Sequence, residues 1–500
     1  MKPLRRWSGI ALLAAAMTLS APAAAVATPI GATFAGTTYI VTITADTDDG
    51  RCDTHCSLRE AITAANANPG ADTVRIRAGT YTISLAGPGE DANATGDLDI
   101  TDPVALVGAG RQRTILDGGG IDRVLEVVAG PTTISRLAIR HGFASVGGGG
   151  GGIRVGAPSV ALTDVAVTDN ATVEGLTGDS VGGGLIASLL AGEINLTLTR
   201  VTVTGNRAHF GGGIAITTGG AALTHVTVRG NIATGPGGGF YNNDSLTTVT
   251  DGVIRENVAE TGGAAFFNSG SVRNGLPGIL RLTRVQVNGN STPGPGGALS
   301  NADGGIATIT DSSLVRNRAA TGAVAFNSDT VDMVNSTLSG NVSASGGVLV
   351  NRSRDPGNLY STAGTGSLLN VTAARNSAGI EHMALSGPEV VTNTILANRG
   401  PNCAVAADGG PITSHGGNLD SQTTCGFTAT GDLSGVDPRL GGLSYGGGPT
   451  LTRPLRAGSP AIDAALDAPC PDHDQRGVPR PQGPHCDIGA YEAFPATAAN

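Results

Sequence analysis

The chain repeats a short pattern of apolar and polar positions, seen most clearly between Leu223 and Asn231. When the copies are aligned on the asparagine, an apolar residue stands eight positions before it and another three positions before it. A valine usually stands five positions before it. Apolar residues two positions apart predict strands with one buried face. The copies end at Asn170, Asn206, Asn231, Asn257, Asn290, Asn317, Asn341 and Asn376, with a shortened copy at Asn398.

The spacing of these asparagines predicts a solenoid. A recurrence every 24 to 36 residues is typical of stacked supersecondary units, each of which contacts only its neighbours. We expect the asparagines to stack as an amide hydrogen-bond ladder at a corner, in the left-handed conformation that asparagine tolerates. Glycine runs predict a second tight corner at 182–184, 211–213, 237–239, 262–263, 296–297 and 346–347.

The first 27 residues have the pattern of a secretory signal peptide. Basic residues at Lys2, Arg5 and Arg6 precede an apolar run from Ile10 to Leu19, and small residues follow it. The run is too short to cross a bilayer, and no later segment is apolar over a sufficient length. The sequence therefore predicts an exported protein whose mature chain has no membrane span.

A short helix is predicted after the first strand and the loop that follows it. Ser57 and Glu60 have the spacing of a capping box, in which each side chain accepts a hydrogen bond from an otherwise unpaired backbone N–H at the helix start. Leu58, Ile62 and Ala65 then recur on one helical face. A solenoid needs its first coil covered, because that coil has unpaired strand edges and an exposed core. The helix is expected to form this cover.

Charge narrows the classes of partner. The formal net charge is −9, and loss of the three cations Lys2, Arg5 and Arg6 would make it −12. A net negative surface disfavours nucleic acid and anionic membranes. It also disfavours polyanionic sugars unless a cation bridges them. The mature chain would lack tryptophan, since Trp7 is the only one, although Tyr and Phe also stack on sugar rings.

The six cysteines fall into three local pairs outside the predicted repeats. An even count in an exported chain predicts three disulfides, although pairing between the clusters remains open from the sequence. The alternative of free thiols or a metal site lacks the Cys/His spacing of a zinc site. The pairs are Cys52 with Cys56, Cys403 with Cys425, and Cys470 with Cys486.

A polar column stands six residues before each asparagine. Stacking would make Asp251, Arg284 and Asp311 consecutive neighbours. One interpretation is catalytic, with carboxylates acting as acid and base or holding calcium and arginine removing a proton. The favoured interpretation is a corner where opposite charges neutralise one another, so no catalytic residue is assigned. The column comprises Asp164, Arg200, His225, Asp251, Arg284, Asp311, Asn335 and Asn370.

An acidic loop before the helix is the candidate metal site in the sequence. Asp46, Asp48, Asp49 and Asp53 place several oxygens in a short segment, which calcium would favour. The loop lacks the later acidic ligands of an EF-hand. The favoured interpretation is an acidic turn closed by a disulfide, and no cofactor is predicted beyond this candidate calcium ion.

The segment from Cys56 to Ala61, with the acidic loop before it, resembles the family of exported bacterial proteins named for its Cys-Ser-Leu-Arg-Glu-Ala motif. The resemblance implies the N-terminal cap of a right-handed parallel β-helix. It extends over Asp97–Ile100, Val107–Gly110 and Ile139–Gly142, which it implies to be the first coils. The segment from Phe240 to Asn243 has a looser similarity to polymorphic outer-membrane adhesins.

From about Cys403 the repeat is lost, and the chain resembles the C-terminal module called the choice-of-anchor Q domain. In this module Asp474, Arg476, Arg480 and Asp487 are expected to fix loops through ion pairs rather than to perform chemistry. No sorting motif follows Glu492, so surface anchoring is not predicted from that segment. The matching segments are Asp437–Leu440, Gly446–Thr450, Arg456–Asp463, Asp474–Gly477 and Asp487–Glu492.

These patterns together predict an all-β right-handed parallel β-helix with a capping helix and an irregular, disulfide-bonded C-terminal module. The expected divisions are signal peptide 1–27, cap 28–72, repeats 73–402 and module 403–500. The predicted function is that of a monomeric, secreted or cell-surface protein, non-enzymatic, for surface interaction, adhesion or glycan binding, with an extracellular glycan or surface protein as partner. The alternative is a polysaccharide lyase or glycoside hydrolase.

Overall fold

The computed structural model describes residues 36–495 except 129, 146–147, 176–179, 189–195, 271–275, 303 and 353–361. The predicted signal peptide 1–27 lies outside the described residues. The described chain forms a parallel β-helix, in which each strand pairs in parallel with its equivalents one coil earlier and one coil later. The predicted fold class is therefore confirmed.

Three long sheets, here named A, B and C, line the β-helix. Sheet A comprises Thr38–Val41, Asp72–Ile76, Val104–Val107, Thr132–Ser135, Val160–Thr163, Leu196–Thr199, Ile214–Thr224, Ser245–Thr250, Gly278–Thr283, Gly305–Thr310, Thr330–Val334, Thr365–Leu369, Glu389–Thr392 and Ile412–Gly416. Sheet B comprises Gly79–Thr82, Thr114–Asp117, Ala138–Arg140, Ala166–Thr168, Thr202–Thr204, Thr227–Arg229, Val253–Arg255, Gln286–Asn288, Ser313–Val315, Thr337–Ser339, Thr372–Ala374, Ile395–Ala397, Leu419–Asp420 and Leu433–Ser434.

Each coil runs through sheets C, A and B in that order. Sheet C comprises Leu98–Ile100, Leu125–Val127, Ile153–Val155, Leu185–Ser188, the first half of Ile214–Thr224, Phe240–Asn243, Phe266–Ser269, Leu299–Asn301, Ala325–Asn327, Leu349–Asn351, Ile380–His382 and Cys403–Val405. Two-residue strands follow sheet B at Phe143–Ala144, Ala171–Thr172, Arg207–Ala208, Ile232–Ala233, Val258–Ala259, Arg318–Ala319 and Val342–Ser343. The helix is Leu58–Ala67.

The two apolar positions of the repeat fill the core, as predicted. In the central coil, Leu223 of sheet A and Val228 of sheet B are both buried, and their equivalents in the other coils are buried too. Phe240 and Phe266 of sheet C stack face to face with ring centroids 4.8 Å apart. Aligned coils thus place like side chains on one another along the whole core.

The predicted asparagine ladder is present and buried. The backbone N–H and the Nδ2 of Asn257 each donate to Oδ1 of Asn290 at 3.0 Å, and Nδ2 also donates to the Val228 carbonyl. The same links join the series from Asn170 to Asn398 and continue to Asn402. The ladder therefore satisfies the polar groups of a corner that water cannot reach.

The ladder asparagines are not the left-handed residues of the corner, so that expectation was wrong. The residue just before the asparagine takes positive φ and turns the chain, which directs the asparagine amide along the helix axis. These residues are Asp169, Gly205, Gly230, Glu256, Gly289, Arg316, Gly340 and Arg375. The polar column is left-handed throughout: Asp164, Arg200, His225, Asp251, Arg284, Asp311, Asn335 and Asn370.

A second ladder, which the sequence analysis missed, lies between sheets C and A. The Nδ2 of each asparagine donates to Oδ1 of the next at 2.6 to 2.9 Å. Its last member, Asn351, contacts Nε2 of His382 at 2.9 Å and donates to Oε2 of Glu389 at 2.6 Å. The ladder comprises Asn242, Asn268, Asn301, Asn327 and Asn351.

The glycine runs form the tight corner that leads into sheet C, as predicted. Gly211 has a φ of 63°, a conformation that glycine adopts at little cost. A Cβ on the next residue, Gly212, would stand 2.3 Å from the Ile232 carbonyl oxygen of the following coil. Close stacking of the coils therefore requires glycine here.

The capping helix is also confirmed. Ser57 and Glu60 form both hydrogen bonds of the capping box, and Leu58, Ile62 and Ala65 are buried against the first coils. Among the described residues, no helical segment has the length and hydrophobicity needed to cross a bilayer. The helix instead closes the N-terminal end of the core.

The C-terminal part is less separate than the predicted boundary suggests. Sheets A, B and C all gain strands beyond residue 402, the last at Leu433–Ser434. The chain then folds back along the outer face of sheet B, where residues 445–490 contact coils from Gln286 to Asn393. All six cysteines are paired locally, as expected: Cys52–Cys56, Cys403–Cys425 and Cys470–Cys486.

Candidate functional site

The polar column lies at the corner between sheets A and B, and the structure pairs its charges. Nε of Arg200 lies 2.6 Å from Oδ1 of Asp164, and Nε of Arg284 lies 2.7 Å from Oδ1 of Asp251. Both pairs are two-pronged, since each Arg also donates through Nη2 to the second carboxylate oxygen. These carboxylates have pKa values lowered mainly by the arginine hydrogen bonds. In these coils the column is therefore a corner at which opposite charges pair with each other.

Asp311 departs from the expected Asp–Arg–Asp arrangement. Its Oδ2 lies 3.4 Å from Nε2 of His473 in the C-terminal module, and it has no ion pair with Arg284. Burial beneath the module raises the pKa of Asp311. Asp251, Arg284 and Asp311 therefore do not form one open face, because the third residue is covered.

The acidic loop before the helix does not gather its four carboxylates. Asp46 accepts hydrogen bonds from the buried Arg59 guanidinium and from two backbone N–H groups. Asp48, Asp49 and Asp53 each accept the backbone N–H two residues later. Arg59 thus takes the place that a cation would have at Asp46. Among the described residues, the carboxylates that lie close enough together to hold a metal ion are outside this loop, at Asp91, Asp99 and Glu126.

The C-terminal module fixes its own loops through ion pairs, largely as expected. Arg476 and Asp474 form a buried pair at 2.7 Å. Arg480 pairs with Glu492 at 2.9 Å rather than with Asp487, whose backbone carbonyl it contacts instead. Burial raises the pKa of Asp487 to about 6. The expectation that Asp487 forms an ion pair was therefore wrong.

The module docks on sheet B through specific polar contacts. Nε of Arg453 donates to Oγ of Ser339 at 2.8 Å, and Thr337 Oγ1 donates to Gln475 Oε1 at 2.6 Å. Asn393 binds the backbone of the module through both ends of its amide. These contacts hold the module against the last coils, and a cleft remains beside them.

This cleft has a volume of about 690 Å³ and is lined by arginines. Ala374, Ala397 and Ser421 line it from the β-helix, and Pro438, Leu440 and Ala457 from the module. Its charged lining is Arg375, Arg439, Arg456 and Asp437, all exposed. We call it the arginine cleft.

The fold positions Arg375 directly. It is the left-handed residue before the ladder asparagine Asn376, so its side chain projects outward from the corner after sheet B. Arg316 holds the equivalent position two coils earlier, and Gly340 stands between them. Arg439 and Arg456 enter from the module, whose backbone joins them through the Arg456 N–H and the Arg439 carbonyl.

The arginines of the cleft lack anionic partners. Within the described part of the chain, no carboxylate oxygen lies within 4.0 Å of a guanidinium nitrogen of Arg375, Arg439 or Arg456. The lining carboxylate, Asp437, accepts the Arg439 backbone N–H instead. The cleft therefore has an excess of positive charge in a chain of net charge −9.

The positive charge of the cleft also affects Arg453, an arginine of the module. It is buried, and its described partners are the neutral oxygens of Ser339 and Gly441. Burial, followed by the charges of Arg375 and Arg316, lowers its pKa to about 10. A buried guanidinium without a carboxylate is costly, and an anion bound nearby would offset that cost.

The arginine cleft could not be predicted from the sequence, for a physical reason. Arg375 stands in a column of mixed residues one position before the asparagines, where glycine, aspartate and glutamate also occur. Arg439 and Arg456 lie in the module, beyond the repeat. Their proximity follows from the fold-back of the module, which leaves no periodic signal.

Comparison with solved structures finds distant matches. No protein-family model and no curated protein match the chain. Pectate lyase Pel9A matches with 15% identity and a TM-score of 0.41, covering 91% of this chain and 96% of the lyase. The alginate lyase AlyGC matches with 12% identity and a TM-score of 0.45, covering 76% of this chain and 51% of the lyase.

The catalytic domain of an α-1,3-glucanase matches with 14% identity and a TM-score of 0.40, covering 76% of this chain and 69% of that domain. All three proteins are named as polysaccharide-degrading enzymes, the class of the alternative function predicted above. Similarity at this level carries no inference about the residues or the activity of this chain.

Proposed function

We propose that the protein is an exported β-helix protein that binds an acidic extracellular glycan through the arginine cleft. The observation that carries this proposal is the set of three exposed arginines without carboxylate partners around one cleft. Export rests on the signal peptide predicted at 1–27, and three disulfides are consistent with an oxidising compartment.

The chemistry of the cleft favours carboxylate or sulfate groups. A guanidinium presents two parallel N–H donors that match the two oxygens of such a group, and charge-assisted hydrogen bonds are about twice as strong as neutral ones. Three arginines in one cleft suit a ligand that carries several anions along its length. The acidic remainder of the chain would repel such a ligand, so binding would be confined to the cleft.

The family assignment belongs to the same proposal. Membership of the exported Cys-Ser-Leu-Arg-Glu-Ala proteins would place the helix Leu58–Ala67 as their N-terminal cap. The choice-of-anchor Q resemblance would make residues 403–500 the module that contributes Arg439 and Arg456. On this proposal the module helps to form the binding site rather than only ending the β-helix.

Binding to a panel of glycans tests the proposal. Purified protein is titrated calorimetrically with polyuronates, sulfated glucans and neutral glucans, and only the acidic polymers are expected to bind. Arg375→Ala and Arg439→Ala should each weaken binding by about tenfold, the loss of one charge-assisted hydrogen bond. Arg281→Ala, an exposed arginine on sheet A, is the matched control. Equal binding of neutral glucans, or an equal loss with Arg281→Ala, would refute the proposal.

A second candidate function is cleavage of the bound glycan by β-elimination. The arginine cleft favours it, because guanidinium groups that neutralise a uronate carboxylate also stabilise the negative charge that develops when the neighbouring proton is removed. In this reaction the base removes a proton beside the uronate carboxylate, the bond to the leaving oxygen breaks, and that oxygen takes up a proton. Ultraviolet absorbance of unsaturated ends, measured on the same polymers, distinguishes cleavage from binding alone. Binding without this absorbance supports the binding function alone.

A further inference from the structure

A group of carboxylates lies on the outer face of sheet C at the other end of the β-helix. Asp99 and Glu126 are direct register partners on neighbouring strands, and Asp91 lies in the loop before them. One oxygen from each of the three lies within 4.8 Å of the others. Like charges that face each other on adjacent strands are destabilising unless something neutralises them.

Asp99 has an unused oxygen in this group. The residue is 1% exposed, and its Oδ2 accepts the Asn93 backbone N–H at 3.0 Å. Its Oδ1 has no hydrogen-bond partner among the described residues. Oδ2 of the neighbouring, buried Asp122 also has no hydrogen-bond partner among the described residues. A buried carboxylate oxygen without a partner is a costly arrangement, and it indicates a ligand.

The nearby arginines neutralise only part of the charge. Arg123 lies 2.8 Å from Oδ2 of Asp97 and 3.0 Å from Oε2 of Glu126. Arg154 pairs with the other oxygen of Glu126. Among the described residues, Asp91, Asp99 and Asp122 have no ion pair within 4.0 Å. The group therefore keeps an excess of negative charge at its centre.

We propose that Asp91, Asp99 and Glu126 bind a calcium ion that fastens the loop before sheet C to the first two strands of that sheet. Carboxylate oxygens are the preferred ligands of hard divalent cations. Calcium binds oxygens at about 2.3–2.6 Å, so two ligands on opposite sides of the ion lie roughly 4.6–5.2 Å apart. Magnesium, at about 2.0–2.1 Å, would require a smaller group of oxygens.

The buried carboxylates of this group lie close to one another. Burial, and then the charges of Asp99 and Asp122, raise the pKa of Asp97 to about 8 despite Arg123. Burial, and then Glu90 and Asp91, raise that of Asp99 to about 6. Burial and mutual repulsion thus disfavour the ionised carboxylates, and a bound cation would offset this cost.

Calorimetric titration of the full mature chain with calcium chloride tests the site. We expect one ion per chain and an increase in Tm in the presence of calcium. Asp91→Asn, at an exposed loop position, should weaken binding by at least tenfold without affecting folding. Asp99→Asn should do the same, and it removes the buried charge besides. Asp48→Asn, in the acidic loop before the helix, is the matched control and should bind as the wild type does.

Three outcomes would overturn the proposal. The first is the absence of calcium binding at millimolar concentration in a chain that circular dichroism shows to be folded. The second is a loss on Asp48→Asn that equals or exceeds the loss on Asp91→Asn, which would place the ion in the other loop. The third is magnesium binding as tight as that of calcium at this site. None of these results concerns the arginine cleft, so the site and the proposed glycan binding fail or succeed separately.

Discussion

The buried asparagine ladder and the exposed polar column differ in composition although both occur once per coil, six residues apart. The ladder consists of asparagine in every coil from Asn170 to Asn398, whereas the column contains aspartate, arginine, histidine and asparagine. Asn257, for example, accepts two hydrogen bonds from Asn231 through Oδ1 and donates two through Nδ2, to Asn290 and to the Val228 carbonyl. An uncharged side-chain amide supplies two donors and an oxygen with two acceptor sites, whereas a hydroxyl has only one donor. Constancy of residue type here indicates burial rather than function.

The column itself changes where its environment changes. Toward the C-terminal end it is covered by the module, and there it carries Asn335 and Asn370, both buried. Their amides donate to backbone carbonyls of His473 and Asp487. In the exposed coils charged residues pair across coils instead. Asn335 and Asn370 thus avoid the energetic cost of a buried charge, and at Asp311, which is also covered, burial raises the pKa of the carboxyl.

The largest expected effect comes from breaking the ladder at its middle. Asn257→Ala removes the acceptor of two buried donors, the N–H and the Nδ2 of Asn231. Each unsatisfied buried group costs about 1–3 kcal/mol, so we expect the free energy of unfolding in urea to fall by roughly 2–6 kcal/mol. Asn288→Ala, on the half-buried outer face of sheet B, is the control and should change it by less than about 0.5 kcal/mol. Equal losses in the free energy of unfolding would show that the ladder asparagine contributes no more to stability than an asparagine on the outer face does.

A second prediction concerns the end of the other ladder. Burial raises the pKa of Glu389 to about 8, although the Asn351 hydrogen bond opposes this. In the unfolded chain the carboxyl ionises near 4.5. Its contribution to stability is therefore fully present below about pH 4.5 and is lost as the pH rises through about 8.

Glu389→Gln should remove this pH dependence, because the amide stays neutral. Each pKa unit corresponds to about 1.4 kcal/mol, so the variant should become more stable than the wild type at pH 9 and differ less at pH 5. Thermal unfolding across this range measures the effect. Glu260→Gln, at an exposed position, should leave the wild-type profile unchanged. A parallel decline in the Glu389→Gln variant would show that another group titrates.

These comparisons indicate what the sequence could reveal. The buried Leu223 and Asn231 positions recur at fixed spacing, so periodicity alone located the core and the first ladder. The second ladder, with Asn242 and Asn268, also has a fixed spacing, five residues after Gly237 and Gly263 respectively, so the signal was present but was overlooked when the copies were aligned on the first asparagine. The cleft around Arg375 and the carboxylates around Asp99 depend on a fold-back or a loop. Contacts of this kind follow from tertiary packing, which spacing in the chain does not encode.

A smaller effect is expected from replacing a left-handed residue of the exposed column with glycine. His225 has a φ of 55°, and a left-handed residue with a Cβ costs roughly 1–2 kcal/mol. His225→Gly should remove this cost but add about 0.5–1 kcal/mol through the flexibility of the unfolded chain. We expect a slight net stabilisation, measured as a rise in Tm. Thr224→Gly, one residue earlier in sheet A, should destabilise, and stabilisation by both would contradict the explanation.

The smallest expected effect is the coupling between Arg284 and Asp251. Their two hydrogen bonds have good geometry, but both side chains are partly exposed, and exposed pairs contribute below about 1 kcal/mol. A double-mutant cycle with Arg284→Ala and Asp251→Ala, followed by urea unfolding at low and high salt, measures the coupling. It should be under about 1 kcal/mol and decrease with salt. A coupling as large as the loss from Asn257→Ala would remove the distinction between the two columns, because a solvent-exposed ion pair would then stabilise the corner as strongly as buried amides do.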